Sequence, residues 1–330
     1  MKNIELLKLE GKLANQEIID LIENDSYLTK NQIEAIMALG ESGLQDMRII
    51  MQAYLDNIED IRKSENTLCP FYHIQSFMTD MKDEQSYDLM MDYVKSDYSL
   101  LDDTFSDSIM EDLPSYHAMF PHRMMAIEKE LYNKTISCQT KELIVNSLVQ
   151  IPTIHQDENT KQEVIEILQN QLKFLSIPEN RKDFVPPPKK HEWTNLDSYI
   201  AFQIHDLYNL GADVQTDYIK SLFEQEAVDE SIFGTLKNLL AEKPDDYTYY
   251  NDIFERNKSW QISTERDVKF EQEYTERQRQ KEFSQKMQLL SKEYGRNDKV
   301  SVKYNDGKIL TDVKYKKIED DIRADKCQII

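Results

Sequence analysis

Residues 195–240 read NLDSYIAFQIHDLYNLGADVQTDYIKSLFEQEAVDESIFGTLKNLL. Leu196, Ile200, Ile204 and Leu207 recur at helical spacing and stop at Gly211, a residue that tolerates the left-handed conformation closing a helix. Val214, Tyr218 and Leu222 predict a second amphipathic helix starting near Asp213. A turn over 228–231 leads into Phe233, Leu236 and Leu240. Helix, tight turn, helix is the unit of helical-repeat architectures, which usually bind other macromolecules rather than perform chemistry. The stretch argues for a scaffold and names no reaction.

The same periodicity places candidate helices over 17–22, 30–39, 44–62, 69–81, 86–95 and 103–113. Further ones follow over 123–131, 140–151, 160–175, 196–210, 214–226, 231–240 and 245–256. Gly40 and Gly43 end one helix and free the next. Thr29 and Thr160 cap helix starts, while Pro114, Pro121, Pro152, Pro178 and Pro244 fall at or just past helix ends. The resulting helix pairs of roughly 35–45 residues are within the range of HEAT-type repeats. One interruption stands out over 176–192, SIPENRKDFVPPPKKHE. Pro186, Pro187 and Pro188 predict a short, solvent-exposed polyproline II segment, either a plain loop between repeats or a docking site for a proline-reading partner.

Past Ile262 the character changes. Residues 264–294 predict a charged helix roughly 45 Å long with a thin apolar stripe of Phe270, Tyr274, Phe283, Met287, Leu290 and Tyr294. KVSVKYNDGKILTDVKY (299–315) then alternates as a β-hairpin around Asn305-Asp306-Gly307. A lone two-stranded hairpin is marginal in water, so it must dock on helices such as one near Ile318 and Ile322, or on a partner. Three regions are expected: a repeat domain over 1–256, a connecting helix over 257–295 and a small hairpin tail over 296–330.

Composition agrees with a helical chain. Of 330 residues only 7 are Gly and 9 Pro. Cys69, Cys138 and Cys327 are far apart with no metal-type spacing, which fits free thiols in a reducing compartment. The N-terminus carries charges every few residues, unlike a signal peptide, and no segment reaches ~18 uninterrupted apolar residues. A cytoplasmic protein without membrane contact is expected. Net charge is −21, unevenly spread: residues 256–330 hold 18 Lys and Arg against 14 Asp and Glu, and the remainder stands at 22 against 47. So acidic a body repels phosphate backbones and argues against nucleic acid as a partner.

Chemistry has few candidates. His117 and His122, with Glu128 and the acidic 101–113 stretch, are the nearest approach to a metal or hydrolytic site, but Pro121 separates the two histidines and no i,i+4 pair forms. His73 and His205 sit on apolar faces as packing residues. Nucleophile elbows, zincin motifs and phosphate loops are missing from the sequence. Aromatics are more suggestive. Tyr247, Tyr249 and Tyr250, beside Trp260, supply large surfaces with polar tips suited to an interface, or else close the repeat core.

The chain from Phe71 to Leu240 resembles a bacterial family of HEAT-like helical-repeat proteins with no assigned function. The likeness is carried by FYHIQSFMTDMKDEQSYDLMMDYV, LDDTFSDSIMEDL, KELIVNSLVQI and DSYIAFQIHDLYNLGADVQTDYIKSLFEQEAVDESIFG. Members of that family often end in a zinc-binding tail like that of the Sec translocation ATPase. Here Gly295-Arg296-Asn297-Asp298 and Lys314-Tyr315-Lys316-Lys317 are similar to that tail's lead-in and basic run. Its ligands are replaced by the hairpin valines and Ile318, so no zinc and no cofactor is expected. The reading as a whole is an all-α, HEAT-like α-solenoid of stacked helix pairs with a long C-terminal helix and a small β-hairpin. It would act as a non-enzymatic scaffold for a protein or peptide with a basic contact surface. The alternative is a metal-dependent hydrolase at His117 and His122.

Overall fold

The computed structural model describes residues 2–330 apart from 25, 64–68, 97–107, 187–193, 246–250 and 325; the side chains of residue 69 and of several residues of the long helix, Trp260 among them, are also outside the described set. It is helix-rich, with one small antiparallel sheet of three strands. The chain divides into two units, Met1–Lys258 and Ser259–Ile330.

The first unit is all helical among its described residues. Its principal helices are Gln16–Ile22, Lys30–Ala38, Glu41–Asp56, Cys69–Asp80, Tyr87–Lys95, Met124–Leu131, Cys138–His155, Glu158–Leu175, Leu196–Asn209 and Asp217–Glu224. One continuous apolar core, running from Leu6 to Ile253, is shared by all of them. Thr29 and Gln32 form a reciprocal capping box at Lys30–Ala38. Gly40, at φ 56°, supplies the left-handed link to the next helix.

Several boundaries differ from expectation, each for a local reason. Gly43 lies inside Glu41–Asp56 instead of before it, packed against Leu39. Pro152 does not stop its helix, which runs from Cys138 to His155 and ends at a left-handed Gln156. The missing Pro152 N–H leaves one helical bond unmade, yet burial on nearly every face holds the segment in line. Asp157, not Thr160, is the cap of Glu158–Leu175, and its carboxylate accepts from the Thr160 N–H at 2.9 Å. After Gly211 the Asp213 carboxylate accepts from Gln215 N at 2.8 Å, a local turn that delays the next helix to Asp217. The 231–240 prediction shrinks to the single turn Leu236–Leu239. Of the 103–113 prediction, 103–107 lies outside the described residues; Ser108–Asp112 is π-helical and the α-helix Leu113–Ala118 follows.

Long-range bonds close this unit. Asp46 is buried and its carboxylate accepts the main-chain N–H groups of Ala14 and Asn15, holding the N-terminal segment to Glu41–Asp56. At the other end of the unit the helix Ile253–Glu293 begins, its first N–H donated to the Asp80 carboxylate at 2.6 Å. Asn257 grips Leu28 by both main-chain groups, accepting from its N–H at 2.6 Å and donating to its carbonyl. Arg256, buried, pairs with Asp112 at 3.3 Å.

In the second unit, β1 (Lys299–Tyr304) pairs antiparallel with β2 (Ile309–Lys314) through the expected turn, where Gly307 has φ 89°. A third strand, β3 (Cys327–Ile329), was not foreseen; it pairs antiparallel with the other edge of β1. The hairpin is therefore not alone. Val300, Val302, Tyr315, Ile318, Ile322 and Cys327 form a separate small core beneath it.

The Asn257 grip gives a direct prediction. Asn257→Ala strands a buried N–H and carbonyl at Leu28 and should lower stability by about 2 kcal/mol in urea unfolding. The Leu28 amide should also exchange faster with deuterium, whereas unchanged exchange there would remove the clamp from the account.

Candidate functional site

The residues expected to bind a partner fall mostly outside the described set. Tyr247, Tyr249, Tyr250, Pro187 and Pro188 are not described, and Trp260 is placed only as a position on Ile253–Glu293. Pro186 is half-buried at the end of a described segment. What flanks the proline-rich loop is well defined. On one side Phe184 is buried, with the Lys141 ammonium 4.6 Å from its ring centroid. On the other side the Thr194 hydroxyl donates to the Glu142 carboxylate at 2.7 Å. Both approaches to the loop thus rest on neighbouring residues of one helix, Cys138–His155.

Lys141 is the least ordinary of these groups. It is fully buried, and its ammonium donates to the carbonyls of Leu131 at 2.8 Å and Asn133 at 2.6 Å. Those carbonyls are left open where Met124–Leu131 ends. Gln171 donates to the same Leu131 carbonyl at 2.9 Å, and its own oxygen accepts from Tyr199 at 2.9 Å and Gln203 at 2.7 Å. Burial lowers the Lys141 pKa to about 8 and raises that of the Glu142 carboxyl. The geometry is that of a structural plug: every named atom completes a helix end or a neighbouring side chain. Sequence reasoning passed over it, although Lys141 stands three residues after Cys138 and three before Ile144, on the face the apolar period turns inward.

His117 and His122 are not brought together as ligands. His117 is fully buried, its Nδ1 3.2 Å from the Leu113 carbonyl, with Tyr87 and Tyr116 edge-on at 5.0 and 5.3 Å. Burial lowers its pKa to about 4, so it is neutral. His122 is on the surface, its Nε2 2.7 Å from Glu84 Oε1, which also accepts from Arg123 at 3.0 Å. These partners hold the Glu84 carboxyl below the usual range. Asp112 is engaged by Arg256, and residues 102, 103 and 107 lie outside the described set. Among the described residues no group of three or more His, Cys, Asp or Glu could hold a metal ion. Among the same residues no helix is long and apolar enough to cross a membrane.

The acid side of the stability profile follows from two such histidines. His73, buried with Nε2 2.9 Å from the Ser26 carbonyl, also has its pKa lowered to about 4 by burial. From the ordinary value of about 6.5 down to 4, the unfolded chain binds protons that the folded chain refuses, so stability should fall across that window. The loss should be on the order of 3 kcal/mol per histidine, read from urea midpoints against pH. His117→Gln should flatten the slope. An unchanged slope in that variant would show His117 to be protonated or solvated in the native state.

No protein-family model matches this chain, and no solved structure does. One stretch is similar to the C-terminal region of protein translocase subunit SecA from Cytophaga hutchinsonii, with 57% identity over 35 residues. That stretch is 11% of this chain and spans 3% of the length of the translocase subunit.

Proposed function

We propose that the chain is a non-enzymatic interaction scaffold, in which divergent HEAT-like helix pairs present an acidic, tyrosine-bearing surface to a protein or peptide with a basic contact face. The observation that supports it is how the buried polar groups of the first unit are used. Asp46, Asp83, Lys141, Gln171 and His117 all lie inside the unit; Asp83 accepts from the Arg48 guanidinium, and the others bond to main-chain groups of neighbouring segments or of their own helix. The charge excess lies in the acidic body of residues 1–255, where it favours cationic partners and raises their association rate. The short likeness to a translocase subunit supports a setting in protein translocation, and a cytoplasmic location agrees with it.

Crosslinking with mass-spectrometric mapping, from native lysate of the source cell, tests the reading. A reproducible partner should crosslink through lysines of its own to carboxylates of residues 1–255, and its affinity should fall about tenfold or more as salt rises from low to physiological. Recovery of no reproducible partner, or of one whose binding ignores salt, would overturn the acidic-surface reading.

A further inference from the structure

Among its described residues, the helix Ile253–Glu293 is buried only at its start, through Ile253, Arg256 and Asn257. Farther along, Ile262, Phe270 and Tyr274 are exposed at 58%, 65% and 53%. The last two rings stack with centroids 6.5 Å apart and planes 18° from parallel, shielding each other only in part. Large apolar side chains this open, on a helix otherwise lined with charge, mark a surface that another element covers.

Charge is divided along the same helix. Over 265–276 the acids Glu265, Asp267, Glu271, Glu273 and Glu276 outnumber Arg266 and Lys269. Over 277–292 the balance reverses: Arg277, Arg279, Lys281, Lys286 and Lys292 stand against Glu282 alone. Described members of both sets, including Glu273, Glu276, Arg277 and Lys281, are exposed. The Arg277–Glu273 pair within the helix, 3.3 Å apart and open to solvent, neutralises little of this.

We infer that this helix pairs antiparallel with the same helix of a second copy, about a two-fold axis level with Glu276 and Arg277. Parallel pairing sets acidic half beside acidic half and is opposed by repulsion; antiparallel pairing sets each acidic half along the other copy's basic half. In that register Phe270 is level with the second copy's Phe283, Tyr274 with its Arg279, and Ile262 with its Ser291, next to Leu290. Ile262, Phe283 and Leu290 share one heptad position, being separated by multiples of seven, and Phe270 flanks it. The paired length of roughly 45 Å is enough for the ~1,000 Å² that a specific interface needs. A net charge of −21 on each chain opposes association at large, so the local alignment of opposite charge has to select the arrangement.

Sedimentation of the full chain should show a concentration-dependent dimer. Reversing the acidic half (Glu271→Lys, Glu273→Lys, Glu276→Lys) should weaken it about tenfold or more. Adding Arg277→Glu, Arg279→Glu and Lys281→Glu to the same chain should restore it, and circular dichroism should confirm that the helix persists in both variants. For the register, Gln272→Cys and Lys281→Cys chains mixed and oxidised should crosslink to each other and not to themselves, while Arg277→Cys should crosslink to itself, as mapped on peptides. A chain that stays monomeric at ~100 μM, a dimer indifferent to charge reversal, or self-linking of Gln272→Cys would each overturn the inference.

Discussion

The helix Cys138–His155 is buried on almost every face, and much of the first unit is arranged to satisfy that burial. Inside a protein, polar groups need protein partners because water is not there to serve them. Lys141, carried inward on this helix, meets that demand by closing the carbonyls at the end of Met124–Leu131. The same open end draws Gln171 from Glu158–Leu175, and Gln171 in turn engages Tyr199 and Gln203 of Leu196–Asn209. Four helices are linked through one run of hydrogen bonds. Removing a member leaves a donor or charge buried without its partner, a larger penalty than the bond's own net worth.

A second set of bonds acts over longer range. Residues 253–257 meet Leu28, Asp80 and Asp112, crossing much of the unit's sequence. The last turns of the unit are tied to its first helices, by polar grips more than by apolar area, since Ile253 is the fully buried apolar residue among them. Such contacts raise the loop-closure entropy that folding must overcome, so this unit should fold as a whole.

How far the sequence could be read depended on whether a feature was local. Helix existence came through wherever the apolar period was strong, as in 158–175 and 196–209, and Thr29, Gly40, Gly211 and Gly307 behave as their chemistry suggests. Readings failed where tertiary packing overruled a local signal. Pro152 looked like a stop and is held inside a buried helix; Val214 looked helical and is displaced by the Asp213 turn. The strand at Cys327–Ile329 is too short to show alternation, and only pairing with β1 defines it. The candidate sites fared unevenly. His117 and His122 could be weighed and prove to be a core residue and a surface hydrogen-bond partner of Glu84, whereas Tyr247, Tyr249 and Tyr250 lie outside the described residues.

The tail shows what the third strand is for. A unit of this size rarely supports itself on apolar burial alone. Here β3 completes a sheet over Val300, Val302, Tyr315, Ile318 and Ile322, and Tyr294, just past the long helix, stacks on Tyr315 at 6.0 Å. The sheet's free edges are blunted by different means. β3 is only three residues long, and β1–β2 slips register between Val300 and Val302, where Asp312 takes φ 63°.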